Sequence, residues 1–254
     1  MDKEAILSLI GNGTGESITT ETLESYGLGG IDCPVCENRG YVIAINKDGV
    51  LVTRECSCMN QRRSIRAIRT SGMEDMISRY TFDNYETPDK ERQELKAAAL
   101  DFCNRDTGWF YIAGKSGSGK THLCTAICAE LIKHNKRTQY MLWRDESVKL
   151  KSGVNDRQWY EDRIKKLKTV PVLYIDDFWK SRRSEDHVRV TDADVNLAFE
   201  ILNTRYNDSS LRTIISTEMA LPEVLDIDEA TGGRIYERSR GFVKKAPAEN
   251  WRLR

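Results

Sequence analysis

The sequence predicts an α/β fold, a parallel sheet with flanking helices, preceded by a small unit organised by four cysteines. Three observations carry that expectation. Strand-like and helix-like segments alternate over residues 89–254, the pattern of a parallel sheet joined by crossover helices. A glycine-rich run, "GKSGSGKT", stands between an apolar strand and a helix. Two cysteine pairs, "CPVC" and "CSC", enclose a hairpin-like stretch.

Four zones follow along the chain. Residues 1–31 contain a short apolar helix candidate (Ile6, Leu7, Ile10) and a Gly/Ser/Thr-rich connection. Residues 32–59 form the cysteine unit, and 60–88 a linker that is first basic and then aromatic. Residues 89–254 form the α/β domain. Within it, "TPDKERQELKAAALDFC" reads as a helix capped by Thr87 with Pro88 at its first position. "WFYIAG" reads as a buried strand and "THLCTAICAELIKH" as the helix after it. "TQYMLW" and "VPVLYID" are further strands. "ADVNLAFEILNTRYN" is a helix with Val195, Phe199, Leu202 and Tyr206 on one face, and "TIISTE" is the strand after it.

Composition bounds the function. The 39 Lys and Arg residues balance 39 Asp and Glu residues, so any contact with nucleic acid must come from a local basic patch. The first residues lack the basic start and long apolar run of a signal peptide, and no stretch approaches the ~18 apolar residues of a membrane span. Seven cysteines, an odd number, do not suggest a disulfide framework. A cytoplasmic protein is expected, without a membrane partner and with thiols reduced or bound to metal.

The run Gly114-Lys115-Ser116-Gly117-Ser118-Gly119-Lys120-Thr121 fits the P-loop pattern G-x-x-x-x-G-K-[ST]. Its glycines allow successive N–H groups to turn inward as an anion nest, and the following helix adds its positive dipole end. Lys120 should reach the β- and γ-phosphates of ATP, and the Thr121 hydroxyl should ligate Mg²⁺. His122, next on the helix, is grouped with the nucleotide-binding residues. The second acidic element is "VLYIDD": a buried strand delivers Asp176 and Asp177 to the crevice where such sheets bind ligands. Asp176 is expected to hold Mg²⁺, and Asp177 to orient or deprotonate the attacking water.

Cys33, Cys36, Cys56 and Cys58 flank "YVIAI", "NKDG" and "VLVTR", a hairpin on paper. Two thiolate pairs on a hairpin suit a zinc ribbon with a closed, structural Zn²⁺ site; free thiols or an iron–sulfur site remain alternatives. So small a unit would draw much of its stability from the metal. Cys103, Cys124 and Cys128 read as core. Arg62, Arg63, Arg66 and Arg69, interleaved with Ile65 and Ile68, suggest a basic helix face for phosphate or an acidic partner. "ATGGRIYERSR" places Arg234, Arg238 and Arg240 where a planar guanidinium could reach a neighbour's γ-phosphate.

Taken in order, the ribbon cysteines, "YTFDNYE", the P-loop, "DD", "NTRYN…TIIST" and "GGRIYERSR" resemble the bacterial and phage helicase loaders of the DnaC/DnaI type. These are AAA+ ATPases related to the transposition helper ATPases. The resemblance spans about residues 30 to 254. It implies an AAA+ domain that binds ATP at the subunit interfaces of a ring or spiral homo-oligomer. It also implies a replicative DNA helicase as partner and single-stranded DNA as the loading substrate. Arg234 aligns with the arginine finger, although Gly233 precedes it where the family has Glu. Arg238 is the second arginine of that box, and Arg252 a candidate sensor. Where the family has Asn after "TIIST", this chain has Glu218, so either Thr217 positions the attacking water or turnover is slow. A transposition helper acting on duplex DNA and a small P-loop kinase are the alternative readings.

Overall fold

The structure is a computed structural model and describes residues 33–70, 74–134, 136–180 and 190–251. The helix candidate over 6–10 and Arg252 lie outside the described residues. Contacts divide the chain after Arg62 into two compact units.

In the first unit, β1 (Tyr41–Ile45) and β2 (Leu51–Glu55) pair antiparallel, Tyr41 opposite Glu55 and Ile45 opposite Leu51. The turn between them is held by Asn46, whose side-chain oxygen accepts from the N–H groups of Asp48 and Val50 at 3.0 and 2.9 Å. Helix α1 (Cys58–Thr70) begins in this unit and continues past its last residue, Arg62.

The second unit contains α2 (Glu74–Arg79), α3 (Lys90–Cys103), β3 (Trp109–Ala113), α4 (Lys120–Lys133) and β4 (Thr138–Leu142). It continues through α5 (Trp143–Ser152), α6 (Arg157–Thr169), β5 (Val172–Asp176), α7 (Asp192–Asn207) and β6 (Arg212–Thr217). The last elements are α8 (Leu221–Ile227), α9 (Glu229–Arg238) and β7 (Val243–Lys245). Strands β3 to β7 form one parallel sheet in the order β4-β5-β6-β3-β7. β3, β5 and β6 are buried along their whole length, as strands covered on both faces must be. Each fully buried large apolar side chain there contributes on the order of 1.5–3 kcal/mol. On one face Trp109, Tyr111, Leu173 and Ile175 pack with Trp143, Phe178, Ile201 and Leu202; on the other Phe110, Ile112 and Tyr174 pack with Phe102, Leu123, Cys124 and Ile127. Cys103, Cys124 and Cys128 are core residues.

One local expectation is corrected and one is widened, since Val195, Leu202 and Tyr206 do pack on one core cluster. Helix α3 starts after Asp89, not Thr87: the Asp89 carboxylate accepts the Arg92 N–H at 2.8 Å and pairs with the Arg92 guanidinium. A carboxylate that caps and ion-pairs together outcompetes the Thr-Pro start. Helix α7 buries Leu197, Ala198, Ile201, Leu202 and Arg205, while Phe199 and Tyr206 are only half-buried and lie beneath the Arg234 guanidinium. The helix is covered on two sides, so its apolar stripe is wider than one face.

Arg205, fully buried, ties this packing together. Its guanidinium donates to the carbonyls of Leu167, Val170 and Arg212 and to the Thr213 hydroxyl, at 2.6–3.0 Å. Those groups come from the end of α6, the approach to β5 and the start of β6. Replacing Arg205 with Leu strands several buried carbonyls and should cost about 2–4 kcal/mol. Denaturant unfolding of the variant measures it; a loss under ~0.5 kcal/mol, typical of a surface change, would refute the role.

Candidate functional site

The nucleotide site grows out of the carboxyl end of β3. Ala113 ends the strand, and Gly117 and Gly119 take φ of +79° and +89°, a backbone region side chains resist, so the chain can curl around a small cavity and enter α4. Lys120 is buried and its ammonium donates to the carbonyls of Gly114 and Lys115 at 2.7 and 2.9 Å. Burial lowers its pKa, opposed most strongly by Glu218 and then Asp177. The buried Ser118 hydroxyl has no protein partner. An inward-curled loop, a buried ammonium and an orphaned hydroxyl fit a polyphosphate.

Opposite stands the end of β5. The Thr121 hydroxyl donates to Asp176 Oδ1 at 3.3 Å, the Tyr140 phenol donates to Oδ2 at 3.2 Å, and Ser216 donates to Oδ1 over a short contact. Asp177 holds φ +53° and Trp179 +57°, left-handed conformations that cost non-glycine residues energy and cluster at functional turns. Burial, and then the neighbouring Asp176, raise the Asp177 pKa. Lys180 reaches both Asp177 oxygens at 3.2 and 3.3 Å and Glu218 Oε1 at 3.0 Å.

A cavity of about 360 Å³ is lined by Ser116 to His122, Asp177 and Lys180 and by aromatic and charged residues from both sides in sequence. From the N-terminal side come Tyr80, Asn84 and Tyr85. His122 lies 4.8 Å from the Tyr80 ring and meets Tyr85 edge-on at 5.1 Å, and its Nε2 sits 3.0 Å from the Thr81 carbonyl. Burial lowers its pKa, which favours the neutral ring. From the C-terminal side, the Trp251 N–H donates to the Gly117 carbonyl at 3.0 Å. Arg92 pairs with Glu249 at 3.0 Å and stacks on the Trp251 ring at 4.8 Å.

The structure thus brings Gly114, Ser116, Gly117, Ser118, Gly119, Lys120, Thr121, His122, Asp176 and Asp177 together. Three expected residues stand elsewhere. The Thr217 side chain is fully buried; it donates to the Phe178 carbonyl at 2.8 Å and accepts the Met219 N–H at 3.2 Å, so it holds the backbone and does not line the cavity. Arg234 donates to Asn203 Oδ1 at 3.0 Å and the Ala230 carbonyl at 2.7 Å. Arg238 reaches the carbonyls of Asp208, Ser209 and Leu211 at 3.1–3.4 Å. Neither arginine lines its own chain's cavity. The sequence reading missed Tyr140, Ser216, Lys180, Arg92 and Trp251; Tyr80 and Tyr85 lay within the quoted "YTFDNYE" without a role assigned.

In the first unit, Cys33, Cys36, Cys56 and Cys58 are buried with all four Sγ atoms within 4.8 Å of one another. Cys33 and Cys56 Sγ are 3.8 Å apart, Cys36 and Cys58 3.5 Å. A tetrahedral ion with sulfur at about 2.3 Å sets neighbouring sulfurs about 3.8 Å apart, so the four thiols could hold zinc. Asn38, at φ +67°, braces the turn by accepting from the Cys33 N–H at 3.0 Å and from Arg62 at 2.8 Å. Arg62 is therefore buried and not part of a basic surface. Arg66 is exposed, and the side chains of Ile65, Ile68 and Arg69 lie outside the described part.

A parallel sheet with a P-loop after β3 and an acidic pair at the end of β5, two strands away, defines a P-loop nucleotide-binding fold. A profile of the family described as IstB-like ATP binding protein matches residues 43–227, well over half the chain, and the chain belongs to that ATP-binding family. It is 27% identical over 280 residues to "Uncharacterized protein YqaM" of Bacillus subtilis (strain 168), covering 91% of this chain and 85% of the relative. It is 28% identical to "Phage-like element PBSX protein XkdC" of the same organism, covering 84% and 81%. "Replicative helicase loader DnaC" of Buchnera aphidicola subsp. Acyrthosiphon pisum is 32% identical, over 50% of this chain and 52% of that protein. In fold, the chain is similar to the crystal structures titled DnaI (TM-score 0.53, 20% identity, 70% of this chain and 92% of that one) and DnaC helicase loader (0.55, 19%, 68% and 98%). Among the described residues no helix is long and apolar enough to cross a membrane.

The clamp on Trp251 makes a prediction. Arg92→Met removes the ion pairs to Asp89 and Glu249 and the stacking cation, so hydrogen exchange at the Trp251 N–H should quicken at least tenfold while the sheet amides keep their protection. Unchanged exchange there would show that Arg92 does not hold the segment down.

Proposed function

We propose that the protein is an ATP-dependent loader that places a replicative DNA helicase on single-stranded DNA, working as an oligomeric nucleotide switch. The observation that carries the ATP chemistry is the single cavity lined by Lys120, Thr121 and Asp177, with Asp176 accepting from the Thr121 hydroxyl. The loader reading is supported by the relatives named replicative helicase loader, which match about half the chain, and by family membership. ATP favours assembly only to the extent that it binds the assembled state more tightly.

Within that reading each residue has a task. Loop N–H groups and Lys120 take the phosphates; Thr121 and Asp176 supply oxygen donors for Mg²⁺, which offsets charge on the phosphates when bound. Asp177, beside the cavity and with a raised pKa, orients the attacking water and takes its proton. Arg234 and Arg238 act across a subunit interface on a neighbour's nucleotide. Thr217 is left without a catalytic task by its backbone bonds. The Cys₄ unit holds structural Zn²⁺, and the protein works in the cytoplasm.

Four outcomes are expected. Lys120→Ala should weaken ATP binding on the order of a hundredfold, measured by calorimetry, while Asp177→Asn should keep nucleotide bound and lose turnover. Metal analysis should find one zinc per chain, lost in Cys36→Ser together with protease resistance of residues 33–62. ATP hydrolysis should rise with single-stranded DNA. Stimulation by duplex DNA would favour the transposition-helper reading, and no response to either with ATP still bound would favour a kinase or a nucleotide-gated binding protein.

A further inference from the structure

Glu218 occupies a place where an acid opposes phosphate, yet it does not stand alone. Its carboxylate accepts from Lys180 at 3.0 Å, and the same ammonium reaches both oxygens of Asp177 at 3.2 and 3.3 Å. The three side chains are similarly placed, 27–29% exposed. They come from two neighbouring strand ends: Asp177 and Lys180 from the turn after β5, Glu218 from the residue after β6. Lys180, Asp177 and Lys120 line one cavity. Glu218 meets the cavity through Lys180, and of the charged side chains around Lys120 it acts on that ammonium most strongly.

We propose that the Lys180–Glu218 pair sets the preference of this site between nucleoside triphosphate and diphosphate, with Lys180 cancelling the repulsion Glu218 would exert on the last phosphate. This rests on the reading of the cavity as an ATP site. Lys180 is shared between two carboxylates, so Asp177, Lys180 and Glu218 together carry one negative charge. Removing Glu218 makes the cluster neutral, and removing Lys180 leaves two negative charges facing the additional charge of the triphosphate. At partly exposed positions beside the cavity, one unit of charge added or removed changes the binding of one further phosphate charge on the order of tenfold after screening. The diphosphate lacks that charge and is affected less. Glu218 therefore need not slow turnover by repelling ATP. Lys180 is a positioning residue here: it acts through Glu218 and Asp177, and its own contact with nucleotide is not required.

The test measures affinity for ADP and for a β,γ-imido analogue of ATP, both with Mg²⁺, by calorimetry in wild type, Glu218→Gln, Lys180→Met and the double variant. Glu218→Gln should raise the triphosphate-to-diphosphate affinity ratio roughly tenfold, and Lys180→Met should lower it about as much. The double variant, with the same net charge as wild type, should return within about threefold of it. Variants that leave the ratio unchanged, or two single variants that move it the same way, overturn the inference while the ATP site stands. A wild-type protein that binds neither nucleotide overturns the ATP site and this inference with it.

Discussion

The Asp176 carboxylate is the constraint around which the site is organised. It is buried at the end of β5, where an unpartnered charge would be costly, and it is met by donors from four places in the chain. Thr121 comes from the first turn of α4, Tyr140 from β4, Ser216 from β6, and the fourth donor is the following N–H of Asp177, at 3.1 Å. Because one of these is the residue after the P-loop lysine, the carboxylate fixes the P-loop helix against the sheet. The left-handed turn at Asp177 follows from the same arrangement: with Asp176 turned inward, the chain must reverse sharply for Phe178 and Trp179 to enter the core. That reversal delivers Asp177 and Lys180 to the cavity.

The parts of this site that could be read from sequence are those whose chemistry is contiguous. A P-loop needs its glycines, lysine and threonine within eight residues, and an acidic strand end needs only an apolar run before it. The cysteine pairs are legible for the same reason, since each pair sits in a short turn. Tyr140, Ser216, Arg92 and Trp251 were not legible, because each is an ordinary residue type whose role comes from a partner 36 to 157 positions away. Thr217 illustrates the opposite limit. Its position next to Glu218 suggested a polar group near the phosphates, but strand alternation turns it toward backbone groups in the core. A hydroxyl there stabilises the turn after β5 through the Phe178 carbonyl.

The arginines divide along the same line. Arg205 looks like a surface charge in "NTRYN", yet it is the most heavily bonded side chain of α7, and its cost of burial is met by backbone carbonyls at the ends of α6 and the entry to β6. Arg62 likewise reads as part of a basic stripe, but it is used inside the cysteine unit, on Asn38. Residue type and spacing predict a charge; only the fold says whether that charge faces solvent, a carbonyl or a phosphate.

The cavity is closed by segments distant from one another in sequence. "YTFDNYE" supplies Tyr80, Asn84 and Tyr85 ahead of α3, and Glu249 to Trp251 return after β7 to lie on the P-loop. Arg92, at the start of α3, touches both sides of this closure through Asp89 and Glu249. The P-loop is therefore constrained from beneath by Asp176 and from above by a backbone bond between Trp251 and Gly117. Gly117 itself has no room to spare, since a Cβ there would fall 1.9 Å from the Asn250 side chain. A rearrangement of the loop around phosphate must shift Asn250 and Trp251, and through Arg92 it must disturb the start of α3. Movement at the phosphates is in this way mechanically linked to the segments that flank the sheet at both ends of the domain, which is the property a nucleotide switch requires.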